Sequence, residues 1–124
     1  MKELTKSKED YLESIYIQEL HGERIRSVKI ATDLHVSKPA VNRAMNELAD
    51  DGLISKSDYS DIVLTEFGRT LAKEIYGKHE LLRTFLIQLG VSKEVAEIDC
   101  CRLEHILSNE TLKCISKYVK ENKA

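Results

Sequence analysis

The chain has 124 residues, 32% of them charged, and 19 basic side chains against 21 acidic ones leave a net charge of −2. That length fits one compact unit or a small domain with a helical extension, and the ordinary apolar content argues against a disordered chain. No apolar run approaches the roughly 20 residues that cross a bilayer, and Met1–Lys6 lacks the apolar core of a signal peptide, so a cytoplasmic protein is expected.

Ser7-Lys8-Glu9-Asp10 has the form of a capping box and predicts a helix with Leu12, Ile15, Tyr16 and Leu20 on one face, ending at His21-Gly22. A short second helix is expected from Ser27, burying Val28, Ile30, Ala31 and Leu34. Ser37 is placed to cap a third, with Pro39 in its first turn, where a missing N–H does no harm. Its apolar residues Val41, Ala44, Met45 and Leu48 follow the i, i+3, i+4, i+7 spacing, and Asp51-Gly52 closes it. Leu53–Lys56 and Asp61–Leu64, around the polar Ser57–Ser60, predict a β-hairpin. A long helix is expected from Thr65 to about Leu89, ending at Gly90, with apolar positions at Leu71, Ile75, Leu82, Phe85, Leu86 and Leu89. Ser92 opens another through Leu107. Ser108 caps the last, with Leu112, Ile115 and Val119 on one side. The fold expected is mainly α: an N-terminal winged helix-turn-helix, residues 1–64, followed by a helical domain, residues 65–124.

Two helices joined by Leu34-His35-Val36-Ser37, with a hairpin behind, make the winged helix-turn-helix pattern. Burial of the apolar stripe leaves Lys38, Ala40, Asn42, Arg43 and Asn46 outward. Arg and Asn match guanine and adenine edges, and Ala40 suits a thymine methyl. Ser37, Lys38 and Pro39 open the reading helix, where Ser37 and Lys38 suit phosphate contacts, and Arg26 adds to a basic segment. Residues 24–43 hold Arg24, Arg26, Lys29, Lys38 and Arg43 against Asp33, a local net of +4. Double-stranded DNA is the expected partner, and the hairpin tip from Ser57 to Asp61 is placed to touch its backbone.

The far end has the opposite sign. Residues 94–110 hold Glu94, Glu97, Asp99, Glu104 and Glu110 against Arg102, a local net of −4 suited to cations. Cys101, Glu104 and His105 form C-x-x-E-H inside a predicted helix, with offsets of three and four that put thiolate, carboxylate and imidazole on one face. Asp10 and Glu13 on the first helix offer two more oxygens, and His79 another imidazole. Each has a plainer alternative: Asp10 in the cap, Glu13 at the surface, Cys101 as a small packed residue, His79 in a surface pair with Glu80. Cys100 and Cys114 are expected to pack, and His21 and His35 to sit in turns. The three cysteines are expected as reduced thiols, since adjacent Cys100 and Cys101 suit a disulfide poorly.

Glu9-Asp10-Tyr11-Leu12-Glu13, Val36-Ser37-Lys38-Pro39-Ala40-Val41, Asp51-Gly52-Leu53-Ile54, Leu64-Thr65 with Gly68, Lys78-His79-Glu80-Leu81-Leu82 and Cys101-Arg102-Leu103-Glu104-His105-Ile106-Leu107-Ser108 together resemble the metal-dependent repressors of the diphtheria toxin repressor and manganese transport regulator family. The likeness covers nearly the whole chain in order. It implies a short form without the SH3-like third domain: a homodimer that binds a palindromic operator when loaded with Fe²⁺ or Mn²⁺ and shuts off metal-uptake genes. Residue by residue, it implies metal ligands at Asp10, Glu13, His79, Cys101, Glu104 and His105. Asp10 and Glu13 follow the manganese branch and Cys101 the iron branch, while Arg83 stands where the iron branch has a glutamate of an ancillary site. A thiolate tilts the set toward Fe²⁺, although Cu²⁺ and Zn²⁺ would bind such donors at least as tightly. A dimer interface is expected on the later helices, where Leu82, Phe85, Leu86, Leu112, Ile115 and Val119 exceed the needs of a small core. The competing expectations are a metal-independent winged-helix regulator, a redox sensor at Cys100-Cys101 and, least favoured, an enzyme using Cys101 and His105.

Overall fold

The computed structural model describes residues 4–56 and 61–122. In chain order these form α1 (Lys6–Leu20), α2 (Ser27–Leu34), α3 (Lys38–Asp50), β1 (Ile54–Lys56), β2 (Ile62–Leu64), α4 (Glu66–Gln88), α5 (Lys93–Leu103) and α6 (Asn109–Glu121). The chain divides into two compact units, residues 1–73 and 74–124.

In the first unit α1 begins earlier than the capping box suggests. Thr5, in extended backbone geometry, accepts a bond on Oγ1 from the Lys8 amide at 3.2 Å, so Ser7 lies inside the helix instead of capping it. Leu12, Ile15 and Tyr16 are buried, but Leu20 in the last turn is exposed. Gln18 is buried, and its Oε1 accepts from the Arg26 amide at 3.0 Å, which fixes the loop leading into α2. In α2, Ile30 is fully buried while Val28 is 58% exposed. Two positions on a helix lie about 200° apart, so seating one of them turns the other outward. His35 ends α2 with φ 56°, a left-handed residue that is not glycine. Ser37 then caps α3, its Oγ accepting from the Ala40 amide at 3.2 Å, and Val41, Ala44, Met45 and Leu48 are all buried as their spacing predicts.

The hairpin pairs Ile54 with Leu64, Ser55 with Val63 and Lys56 with Ile62 in antiparallel register. Ile54, Ile62 and Leu64 are buried and Val63 is exposed, the alternation of a strand with one wet face. The expected phosphate-contacting tip at Ser57–Ser60 lies outside the described residues, whereas Asp61 beside it pairs with Arg24. Below the hairpin, Thr65 Oγ1 donates to the Gly52 carbonyl at 2.7 Å and accepts from the Gly68 amide at 2.9 Å, capping α4 and tying it to the strand entry. Gly68 packs against the Leu53 carbonyl so closely that a Cβ there would lie 1.9 Å from that oxygen. This is a close approach only glycine allows.

The second unit is built on Leu82, Cys100 and Leu112, with Leu81, Leu86, Leu103, Leu107 and Ile115 packed around them. Leu82, Leu112 and Val119 are therefore buried within one protomer, and the expectation that they belong to a dimer face is corrected. Leu89, Ile87 and Tyr118 are the large side chains left outward on α4, the loop after it, and α6. Ser92 and Ser108 cap α5 and α6 as expected, through the amides of Val95 and Thr111. The helix from Ser92 was expected to reach Leu107, but it ends at Leu103. The amides of His105 and Ile106 bond three residues back, to Arg102 and Leu103, which tightens the chain into a turn. Glu104 is thus the C-cap, and His105 lies beyond the helix. Cys114, expected to pack, is exposed; Cys100 is buried.

Candidate metal centre and nucleic-acid interface

In the first unit the reading-helix candidates share one exposed face. Lys38, Pro39, Asn42, Arg43 and Asn46 are exposed, and Ala40 is partly covered. Ser37 spends its hydroxyl on the cap, which leaves the α3 N-terminus with its positive dipole end outward. Lys56 on β1 donates to Asn46 Oδ1 at 3.3 Å, so the wing and the reading helix are joined on this face. Arg26, also exposed, stands at the start of α2. The basic segment is partly neutralised within the unit: Arg24 pairs with Asp61 and Lys29 lies 3.7 Å from Asp33. Lys8, hydrogen-bonded to Asp51 at 2.9 Å, has its ammonium pushed up by that bond. Asp10 and Glu13 both lie on α1, Asp10 partly buried and 3.1 Å from Lys6 Nζ, Glu13 buried.

The second unit gathers the remaining expected ligands around one imidazole. His79, 5% exposed, projects from α4 and stacks on Tyr76 with ring centroids 6.3 Å apart. Burial, with Glu80 beside it, pushes the Tyr76 hydroxyl up. His79 Nε2 is 2.9 Å from Glu97 Oε1. A carboxylate only accepts, so in this pairing Nε2 is the donor, while Nδ1 faces a second set of groups. Around Nδ1 stand Glu104 Oε2 at 3.6 Å, Cys100 Sγ at 3.7 Å and Cys101 Sγ at 3.7 Å. The other oxygen of Glu104 is 3.4 Å from His105 Nε2, with both side chains deeply buried. Glu104 Oε2 has no hydrogen-bond donor among the described residues. A buried carboxylate oxygen in that condition, flanked by imidazole and thiol, suits a cation.

Two members of this cluster were not foreseen as donors. Glu97, Cys100, Cys101 and Glu104 occupy i, i+3, i+4 and i+7 along α5 and its cap, a helical stripe of donors longer than the C-x-x-E-H stretch alone. Cys100 was read as packing because cysteine is so often buried for that reason. It is indeed fully buried, and burial, with Cys101 and Glu97 beside it, pushes its thiol up to about 12. Arg83, 2.6 Å from Glu80 and 4.0 Å from Glu97, places a guanidinium at the rim.

A winged helix-turn-helix unit followed by a helical unit that carries clustered His, Cys and Glu donors defines a DNA-binding regulator with a metal-responsive second half. The model for the iron dependent repressor N-terminal DNA binding domain matches residues 3–62, and that for the iron dependent repressor metal binding and dimerisation domain matches residues 65–124. This chain belongs to the iron-dependent repressor family, metal-dependent regulators of transcription. It is 34% identical, over 97% of its length and 98% of the relative's, to an uncharacterised HTH-type transcriptional regulator of Methanocaldococcus jannaschii. To the transcriptional regulator MntR of Escherichia coli O157:H7 it is 37% identical, covering 94% of this chain and 75% of the relative. The diphtheria toxin repressor of Corynebacterium diphtheriae is 33% identical, and the chain spans 54% of that protein. Among solved structures, the manganese regulator SloR superposes with a TM-score of 0.81 at 31% identity, over 98% of this chain and 57% of that one.

Proposed function

We propose that this protein is a repressor of metal-uptake genes that binds a palindromic operator as a homodimer when Fe²⁺ or Mn²⁺ is held by Asp10, Glu13, His79, Cys101, Glu104 and His105. The observation that carries this reading is the buried His79–Glu104–His105 group with Cys101 beside it, where a carboxylate oxygen lacks a donor. Glu97 supports the assignment by holding His79 Nε2, which orients Nδ1 as the coordinating atom. We favour Fe²⁺ over Mn²⁺, because the Cys101 sulfur is a softer donor than the oxygens that suit manganese.

The bound ion would supply fixed positive charge that carboxylates and imidazoles can share. The chain's own residues do the rest. Lys38 and the α3 N-terminus meet phosphates, while Asn42, Arg43, Asn46 and Ala40 face base edges, with Pro39, Ser37 and Arg26 shaping the entry. Two such helices in a dimer would read half-sites roughly 34–36 Å apart. Phe85, Leu89, Ile115 and Tyr118, which line an open apolar groove with Cys114, Glu110 and Thr111, are the surface we assign to the partner protomer. Shifting the protein from mostly incompetent to mostly competent needs about 5.5 kcal/mol of differential metal binding.

The test is fluorescence anisotropy of operator fragments under anaerobic conditions at fixed ionic strength, comparing chelator, Mn²⁺ and Fe²⁺. The expected result is tightening of about tenfold or more with metal, worth about 1.4 kcal/mol, and its loss in His79→Ala. Equal affinity in chelator and in metal would overturn the proposal.

A further inference from the structure

The reading helix carries an asparagine whose amide oxygen is already engaged from outside the helix. Asn46 on α3 and Lys56 on β1 are both exposed, and Lys56 Nζ donates to Asn46 Oδ1 at 3.3 Å. An ammonium only donates, so the contact fixes which way round the amide lies: the oxygen is turned to the wing, and Nδ2 is the end left for DNA. Both ends of the contact spring from packed backbone. Lys56 lies in the β-ladder opposite Ile62, two residues from the buried Ile54, and Asn46 is flanked on α3 by the buried Met45 and Leu48.

An unengaged asparagine presents an acceptor and a donor side by side and matches adenine, whose edge offers N6–H₂ and N7. Oδ1 of Asn46 keeps a second lone pair, but an adenine amino group brought to it would lie beside the Lys56 ammonium, donor against donor. Guanine offers N7 and O6, both acceptors. It can take one N–H from Asn46 Nδ2 and another from Lys56 Nζ, which has two left after its bond to Oδ1.

We propose that Asn46 and Lys56 act as one donor unit that reads a guanine, with Lys56 setting this specificity by holding the Asn46 amide. The inference rests on the operator-binding reading above and adds to it the base that this pair selects. The wing thus acts on base sequence through the reading helix, and not through the phosphate backbone alone. The pair lies wholly within the first unit and uses none of the metal donors.

The experiment is selection of duplexes from a random-sequence pool by Mn²⁺-loaded protein at fixed ionic strength, with the preferences confirmed by fluorescence anisotropy. Asn46→Ala identifies the base pair this residue reads, as the position whose preference is lost. In native protein that position is expected to be guanine, favoured over adenine by about tenfold, the order of a good bidentate contact. Lys56→Met removes the ammonium and keeps an unbranched stem. It should weaken binding to every duplex and, separately, turn the preference at that position from guanine to adenine. Lys56→Arg keeps a donor on the wing and should keep guanine. A phosphate contact alone would give the uniform loss without the change of base. Far-UV circular dichroism checks that each variant is folded. Guanine retained at this position by folded Lys56→Met protein would overturn the proposal. So would adenine there in the native chain, or an Asn46→Ala profile equal to the native one. These results leave operator binding standing, whereas a native protein that recovers no duplex overturns operator binding and this inference with it.

Discussion

Replacing Gly68 by alanine tests the junction between the wing and α4. A Cβ at this position would lie 1.9 Å from the Leu53 oxygen and 2.8 Å from its carbonyl carbon. These are backbone atoms, so no side-chain rotation relieves the overlap. The Leu53 carbonyl must move, and that carbonyl accepts from the Thr65 amide at 3.1 Å and from Thr65 Oγ1 at 3.1 Å. Losing two such bonds costs about 2 kcal/mol, and residual overpacking adds about 1–3 kcal/mol. Alanine returns about 1 kcal/mol of helix propensity over glycine. The net expected for Gly68→Ala is a destabilisation of about 2–4 kcal/mol. Gly77, on the same helix, is the control: a Cβ there meets nothing within 4 Å, so only the propensity gain applies. Gly77→Ala should stabilise by about 0.5–1 kcal/mol. Urea unfolding followed by far-UV circular dichroism measures both, and Gly68→Ala should lower the midpoint by about 1–2 M for a slope near 2 kcal/mol/M. If the two variants shift the midpoint in the same direction, the close approach is not what holds glycine at 68.

Lys38→Ala should weaken operator binding about equally across sequences and reduce the steepness of its salt dependence by about one phosphate contact, whereas Arg43→Ala should cost about 1–3 kcal/mol and relax preference at one base pair; anisotropy over a salt series with matched and mismatched operators separates them, and identical salt slopes for native and Lys38→Ala protein would remove Lys38 from the phosphate contacts. Iodoacetamide on the reduced, metal-free protein should label the exposed Cys101 at least about tenfold faster than the buried Cys100. Because the Cys100 thiol is pushed up to about 12 by burial, its labelling should still be accelerating with pH at alkaline values. Folding raises that thiol, so stability contributed by its proton is present below the ordinary thiol range and is lost as the pH climbs toward 12. Mass spectrometry of tryptic peptides reads the rates, and equal labelling of Cys100 and Cys101 at neutral pH would contradict the burial of Cys100.

Much of the fold was legible because local rules and packing agree. Ser37, Ser92 and Ser108 each cap the helix that follows them, and the Val41, Ala44, Met45, Leu48 row is buried from end to end. The misses have physical causes. Ser7 and Thr5 both suit a cap, and which one is used depends on where the chain leaves extended geometry, a choice composition does not set. The stop at Leu103 carries no glycine or proline, so a sequence pattern has nothing to mark it. Val28 and Leu20 are apolar but turned outward, which only the neighbouring helices decide. In the candidate metal site, His79, Cys101, Glu104 and His105 were legible as donor types. Glu97 and Cys100 were not, since one is an ordinary acidic residue at the surface and the other an ordinary buried thiol until His79 is placed between them.

His35 has a bearing on how this sequence can vary. Holding φ at 56° costs an ordinary L-residue about 1–2 kcal/mol, and asparagine or glycine bears it more easily. Neutral drift at this turn is therefore a narrow corridor: Asn and Gly are open to it, while Val, Ile and Thr are closed by the clash of a branched Cβ. A library randomised at position 35 and selected for folding should return a short alphabet there, and the flanking Leu34 and Val36 should return a longer one drawn from apolar residues.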